Sequence, residues 1–401
     1  MNISLDLIQT TTLAVVLLLL GEFARRHIGF LQRFSIPGPV IGGFAFALAV
    51  LALRETGVAQ LELDTTLQEP AMIAFFTTIG LGASVSLLRK GGKLLIVYLL
   101  ACWTLAILQN VVGIGMATAL GIDPVLGVMA GAVALEGGHG AAAAFGPTAE
   151  ALGTDGATAI AIAAATFGLV AGGLLGGPMA SWLMRRHKVE VPAAADTATP
   201  AAVEAEEGEK EEPVGYGPLL NTAVLIGVVM VAGVALGTWF SETTGFVLPA
   251  YVGAMVVAAV ARNVGDRFGL RMHQGALSLV SSLSLGLFLT MAMMGLRIWE
   301  LYALALPLVL LLAVQVVVLL LFVALVVFRL LGKGYDAATM AAGMVGHGLG
   351  GTPNAMANMD AFNRRFGVRS EKAFLIVPLA GAVLIDIVAL PWIVWCINAV
   401  A

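Results

Sequence analysis

Hydrophobic residues come in long runs along this chain. TTLAVVLLLL, AILQNVVGIGMATAL and LVLLLAVQVVVLLLFVALVVF supply the roughly 20 apolar residues that a helix needs to cross a hydrocarbon core. The runs predict ten helical spans, near residues 8–24, 36–53, 71–88, 94–120, 156–184, 216–240, 246–261, 276–296, 302–328 and 373–398. Two weaker, glycine-rich stretches remain, 124–150 and 336–360. The expected fold class is therefore all-α, a polytopic membrane protein.

Composition agrees: 59% of the 401 residues are hydrophobic and 11% are charged, whereas soluble domains carry about a quarter charged residues. The net charge of −4 says little about partners. The densest acidic stretches, LELDTTLQEP and the central loop, lie outside the predicted spans. No secretory signal is expected, because Asp6 stands where a basic region would be and no small-residue cleavage site precedes Arg25. Cys102 and Cys396 both sit in apolar runs, which predicts neither a disulfide framework nor a metal site.

Charge orders the spans. With the N-terminus outside and each glycine-rich stretch entering and leaving on one side, the inside receives 19 of the 21 Lys and Arg residues. Only Arg54 and Arg297 are left outside, as the positive-inside rule requires. Making either stretch a full span would invert everything after it and spoil the bias. Both are accordingly read as re-entrant hairpins, and both chain termini as periplasmic. The linker 189–215 holds eight acidic residues against one lysine in VEVPAAADTATPAAVEAEEGEKEEPV. It reads as a solvated cytoplasmic segment.

The linker also divides two halves that echo each other in order. IPGPVIGGFAFALAV is matched by LPAYVGAMVVAAV, and FFTTIGLGASVSLLRKGG by LTMAMMGLRIWELYA. Gln109 and Gln315 sit midway along the long span before each hairpin. GIDPVLGVMAGAVALEGGHG then parallels GKGYDAATMAAGMVGHGLGG. Five spans per half make the second half (216–401) upside down relative to the first (1–188). Inverted repeats with interrupted helices near the midplane are a mark of secondary transporters. The first hairpin is expected to enter from outside and the second from the cytoplasm, so that their tips meet. Irregular backbone survives at membrane depth only where protein or a water-filled cavity surrounds it. Gly137, Gly138 and Gly140, with Gly346, Gly348, Gly350 and Gly351, would free amides and carbonyls there for a ligand. The plainer reading is that these glycines let helices pack closely.

At these residues the chain resembles the bacterial sodium/glutamate symporter family, nearly end to end. The resemblance rests on IPGPVIGG, FFTTIGL, LQNVVGIGMA, GGHG, ATFGLVAGGLLGGP, LFLTMAMMGL, GLGGTPNAMANM and LIDIV. It implies a two-domain fold related to the 2-hydroxycarboxylate transporters, Na⁺-coupled uptake of L-glutamate, a homodimer in the bacterial inner membrane and an elevator-like movement of the hairpin domain. Two positions depart from the family's pattern. Glu136 stands where a small, often hydroxylated residue would precede GGHG, and His347 where an uncharged residue would be. Both bear on the substrate more than on transport.

Individual residues follow. Asp386 is the only carboxylate well inside the last span, with no Lys or Arg at comparable depth. Buried charges in a bilayer mark ion paths or pairs, and hard cations favour oxygen ligands. Asp386 is therefore a sodium candidate, against a structural carboxylate or a proton carrier. Glu136 could join it, or be held protonated by desolvation. Gln109, Gln315 and Asn358 complete the sodium candidates, with interhelical bonding as the alternative for the two glutamines. His139 could donate to a substrate carboxylate or bond across to the other hairpin, and His347 is a weaker candidate for the same role. Thr352, Pro353 and Asn354 read as a helix start, with Thr352 capping and Pro353 in the first turn. Such a start is a natural anion site. Gly137, Gly138, His139, Gly140, Gly348, Gly350, Gly351, Thr352, Pro353 and Asn354 thus form the expected substrate set.

No basic residue lies at the midplane, so co-bound sodium is expected to supply the attraction for a dicarboxylate. Na⁺ is the one cofactor expected, with no organic group or transition metal. An intramembrane enzyme finds no nucleophile motif, HExxH or metal spacing. A channel filter would repeat by rotation rather than inversion. Nucleic-acid binding has no support. The same machine coupled to H⁺, or carrying another small carboxylate or amino acid, is the alternative within transport.

Overall fold

The computed structural model describes residues 2–34, 36–192, 214–270, 272–302 and 304–401. Apart from its ends, the acidic linker lies outside the described residues. A short strand β1 (Asn2–Leu5) leads into α1 (Leu7–His27), where Asp6 accepts the Gln9 amide at 2.8 Å and Gln9 returns the contact, a capping box. Next come α2 (Gly29–Arg33), α3 (Gly38–Glu55), strand β2 (Gln60–Leu63), α4 (Gln68–Gly82) and α5 (Ser86–Ala119). The first glycine-rich stretch forms α6 (Pro124–Val128), a π-turn (Met129–Val133) and α7 (Gly138–Ala151), followed by α8 (Ala157–His187). Beyond the linker are α9 (Tyr216–Thr244), α10 (Ala250–Arg267), α11 (Gln274–Met294), α12 (Ala305–Phe322) and α13 (Phe328–Leu330). The second stretch forms α14 (Tyr335–Gly350) and α15 (Thr352–Phe366), and α16 (Glu371–Leu379) and α17 (Asp386–Val400) close the chain.

Among the described residues, seven helical stretches are long and apolar enough to cross a membrane: α1, α3, α5 from Gly92, α8, α9, α11 and 305–330. Three further predicted spans differ for visible reasons. α4 has only 15 residues. α10 carries Arg262, Asp266 and Arg267 within its 18. The last span is broken by a π-turn, Ala380–Leu384. The two strands depart from the all-α expectation. They pair in parallel, Asn2 opposite Gln60 through Leu5 opposite Leu63. Hydropathy cannot report this pairing, because it joins two stretches that lie outside the apolar runs.

The helices sort into two bundles. α1, α3 and α4 pack with α9, α10 and α11, while α5–α8 pack with α12–α17, and the bundles meet where α4 meets the Ala380–Leu384 π-turn, where α8 meets the turn Ile298–Leu301, where α10 meets α17, and where α7 crosses α11. Aromatic rings line that meeting. Phe75 lies 5.7 Å from Phe288, Phe76 4.8 Å from Tyr251, and Phe145 of α7 meets Tyr251 edge-on at 5.3 Å. At one end Arg54 stacks 3.8 Å from the Trp299 ring and Arg297 pairs with Glu300. The two basic residues assigned to the outside therefore share one end of the molecule.

Within the second bundle α8 receives α14 and α15 closely. The Asn354 amide donates to the Leu169 carbonyl at 3.1 Å, and the Asn358 amide to the Gly172 carbonyl at 3.0 Å. A methyl on Gly176 would stand 3.0 Å from the Asn358 Cβ and closer to its amide group. Gly176→Ala is expected to cost about 1–3 kcal/mol by overpacking. It should lower the melting temperature in detergent by several degrees relative to Gly177→Ala, where the adjoining space is open.

Candidate functional site

The two glycine-rich stretches fold into helical hairpins whose turns abut. In the first, Gly131 leaves helical geometry (φ −95°, ψ −130°). The Ala132 amide is taken up by the Asn110 side-chain oxygen at 2.9 Å. The chain then turns through Glu136 and Gly137, whose amides both donate to the Ala132 carbonyl at 3.1 Å. α7 starts at Gly138, with φ +61°. The second reversal needs a single residue, Gly351 (φ 89°, ψ −175°). A methyl on Gly138 would lie 3.9 Å from the Gly350 carbonyl oxygen, and one on Gly351 would lie 3.8 Å from that of Glu136. Two helices, α7 and α15, thus begin side by side, and the first amides of each have no partner within their own helix.

The expected Thr352 cap does not form. Gly351 occupies the N-cap position, no side chain caps the helix, and Thr352 is the first helical residue, with Pro353 beside it in the first turn. Only glycine enters that positive-φ geometry cheaply, so reversal and cap fall on one residue. The Thr352 hydroxyl is directed at Gly381 of the π-turn instead.

The other candidates divide into groups. Gln109 donates to the Gly348 carbonyl at 2.7 Å, and Gln315 donates to the Gln109 carbonyl at 2.7 Å. The side-chain oxygens of both glutamines are buried without a hydrogen-bond partner. Glu136 is buried, and both its carboxylate oxygens also lack a partner. It lies within electrostatic range of Asp386, the half-buried first residue of α17, and of Tyr98 on α5. Asn354 and Asn358 are engaged by α8, as described. His139 does not reach the opposite hairpin. Its Nε2 lies 3.0 Å from the Thr166 hydroxyl, which spends its own proton on the Ile162 carbonyl at 2.9 Å, so the imidazole is the donor. Gly140 faces Phe75 and Leu285 of the first bundle, and Gly137 packs against Ala141 and Val133. Asn110, adjacent to Gln109, was not among the candidates. A polar pair within an apolar run was the available signal.

A cavity of about 1050 Å³ lies away from the turns, beside the C-terminal end of α7 and the loop after β2. Asp64, Glu69, Glu150 and Glu300 line it with Arg297. The Thr66 hydroxyl and amide hold the Asp64 carboxyl below the usual carboxylate range. Its inner wall includes Ala144, about 9 Å of helix rise from Gly138.

Long apolar helices around two interrupted ones, with buried polar groups at the interruption, define an integral membrane protein of the carrier type. Comparison with known proteins gives the family: a sequence profile described as sodium/glutamate symporter matches residues 3–368. The chain is 41% identical over 386 residues to the sodium/glutamate symporter of Escherichia coli (strain K12), covering 96% of this chain and 95% of that one. It is 40% identical over 390 residues to that of Haemophilus influenzae, covering 97% and 96%. The chain belongs to the sodium/glutamate symporter family, and is a transport protein rather than an enzyme.

Thr166→Val removes the acceptor for the His139 ring and should cost about 1–3 kcal/mol, the penalty for a buried donor left unmade. A melting temperature lowered in Thr166→Val, but near the parent's in Thr166→Ser, is the expected result.

Proposed function

We propose that the protein is a Na⁺-coupled symporter that carries L-glutamate into the cell across the bacterial inner membrane, exposing its site to each side in turn. The observation that carries this reading is the meeting of two interrupted helices at Glu136–Gly138 and Gly350–Gly351. Unpaired amides at the starts of α7 and α15 suit a carboxylate, and no lysine or arginine is buried beside them among the described residues. The substrate set is Gly137, Gly138, Gly350, Gly351 and Thr352. Asp386 and Glu136 are the cation ligands, supported by the side-chain oxygens of Gln109 and Gln315. Four buried acceptor oxygens without donors, two on Glu136 and one on each glutamine, are an environment that a cation relieves.

Matching halves of the sequence supply equivalent parts of each bundle. α1, α3 and α4 face α9, α10 and α11, and the helix–hairpin–helix units from the two halves build the other bundle. This supports the inverted-repeat reading. A two-bundle molecule with a narrow, aromatic-lined junction is suited to an elevator-like shift of the hairpin bundle against the first. With ten spans and two re-entrant hairpins, both termini lie outside and the linker lies in the cytoplasm.

Proteoliposomes holding the full chain should accumulate labelled L-glutamate under an inward Na⁺ gradient. Asp386→Asn should lower that uptake at least about 100-fold, the loss of roughly 2.7 kcal/mol or more of coupled binding. Uptake driven by a proton gradient alone would transfer the coupling to H⁺ and to Glu136. Orientation is checked separately. A single cysteine at Tyr302, in a background lacking Cys102 and Cys396, should react with an impermeant maleimide from outside intact cells, and one at Lys188 only after lysis. The opposite pattern would invert the topology.

A further inference from the structure

His347 has no part in the arrangement above, yet like Glu136 it is a buried polar side chain beside the turns whose polar atoms all lack a partner. It is 1% exposed, and neither ring nitrogen has a hydrogen-bond partner. A neutral imidazole always presents one N–H and one lone pair, and the surrounding protein satisfies neither. The residue is held firmly in place. Its own carbonyl accepts the Gly351 amide at 3.1 Å, which fastens it to the reversal. Opposite the ring is Gly381 in the π-turn of the last span, where a methyl would fall 2.7 Å from Nδ1 and 2.5 Å from the Thr352 hydroxyl. Three pieces of chain therefore converge: the last turn of α14, the first turn of α15 and the π-turn.

We propose that the His347 imidazole is a substrate-binding group that donates its N–H to a carboxylate of the transported amino acid, with Thr352 as the neighbouring hydroxyl, and so helps decide which acids are carried. This rests on the carrier reading given above. The place lies between two helix ends, the C-terminal end of α14 and the start of α15, and an anion suits its α15 side, where a helix of 15 residues begins with its positive dipole end. Gly381 is then a specificity element in its own right, since any side chain there would displace both donors.

The test uses the full-length protein in proteoliposomes and compares it with His347→Gln, which keeps an N–H donor, and His347→Phe, which keeps bulk without one. His347→Phe should raise the KM for L-glutamate at least about tenfold and weaken the preference for L-glutamate over L-glutamine. The Na⁺ concentration giving half-maximal uptake at saturating glutamate should move less than about twofold. His347→Gln should recover most of the affinity. A KM within twofold of the parent in His347→Phe would overturn the proposal. Should the variants fail to transport, the melting temperature of detergent-solubilised protein replaces uptake, read with L-glutamate, succinate, citrate or Na⁺ alone. Stabilisation by a carboxylate in the parent, lost in His347→Phe while Na⁺ still stabilises, upholds the inference. Equal stabilisation of both proteins refutes it. If the parent itself carries no glutamate, the same measurement separates the two claims. Stabilisation by another acid that depends on His347 removes glutamate as substrate and keeps the site, whereas stabilisation by none of the acids removes both.

Discussion

Backbone that leaves the helix inside a membrane must find hydrogen bonds within the protein, because lipid offers none, and the arrangement of this molecule follows from how that need is met. Two adjacent residues on α5 each serve one hairpin. Asn110 accepts the Ala132 amide of the first, and Gln109 donates to the Gly348 carbonyl of the second. Gln315 then donates to the Gln109 carbonyl and ties α12 to α5 at that level. One crossing point of two long helices thus steadies both interruptions, which is why the two turns can lie adjacent.

The same economy shapes the bundle around them. α8 offers a face of small residues, Gly168, Gly172 and Gly176, and α14 and α15 close onto it so tightly that the Asn354 and Asn358 amides reach its carbonyls. Those bonds hold the second hairpin to α8, while the His139–Thr166 bond holds the first to the same helix. The hairpin bundle is thereby one internally bonded body. Its junction with the other bundle is mostly of a different character, made of rings and aliphatic side chains such as Phe75, Phe145 and Leu285, with Gly140 giving clearance, while Asn398 of α17 exchanges two hydrogen bonds with the Val247 backbone before α10.

Electrostatics at the turns then acquire a direction. The buried carboxyl of Glu136 lies within electrostatic range of Asp386, and no lysine or arginine is buried among the described residues, whereas the helix starts at Gly138 and Thr352 present positive ends. Carboxyl groups on one side and helix starts on the other are complementary to a cation and an anion together, which is the physical basis of the coupling proposed above.

Much of this was legible without coordinates. Hydrophobic runs located seven of the spans found among the described residues, because crossing a hydrocarbon core constrains length and hydropathy residue by residue. The family likeness was legible from motifs such as GGHG and GLGGTPNAMANM, and the glycine clusters marked both interruptions. What the sequence could not determine was the partner of each polar group. Asn110 was passed over beside Gln109, Thr352 was read as a cap that Gly351 provides, and His139, read as a donor to a substrate carboxylate or to the opposite hairpin, bonds to Thr166. The pairing of NISL with QLEL and the π-turn that presses Gly381 against His347 were equally invisible. Each is a contact between segments far apart in the chain or a choice among nearly equal local geometries. Tertiary packing settles such matters, because only it brings a particular donor within 3 Å of a particular acceptor.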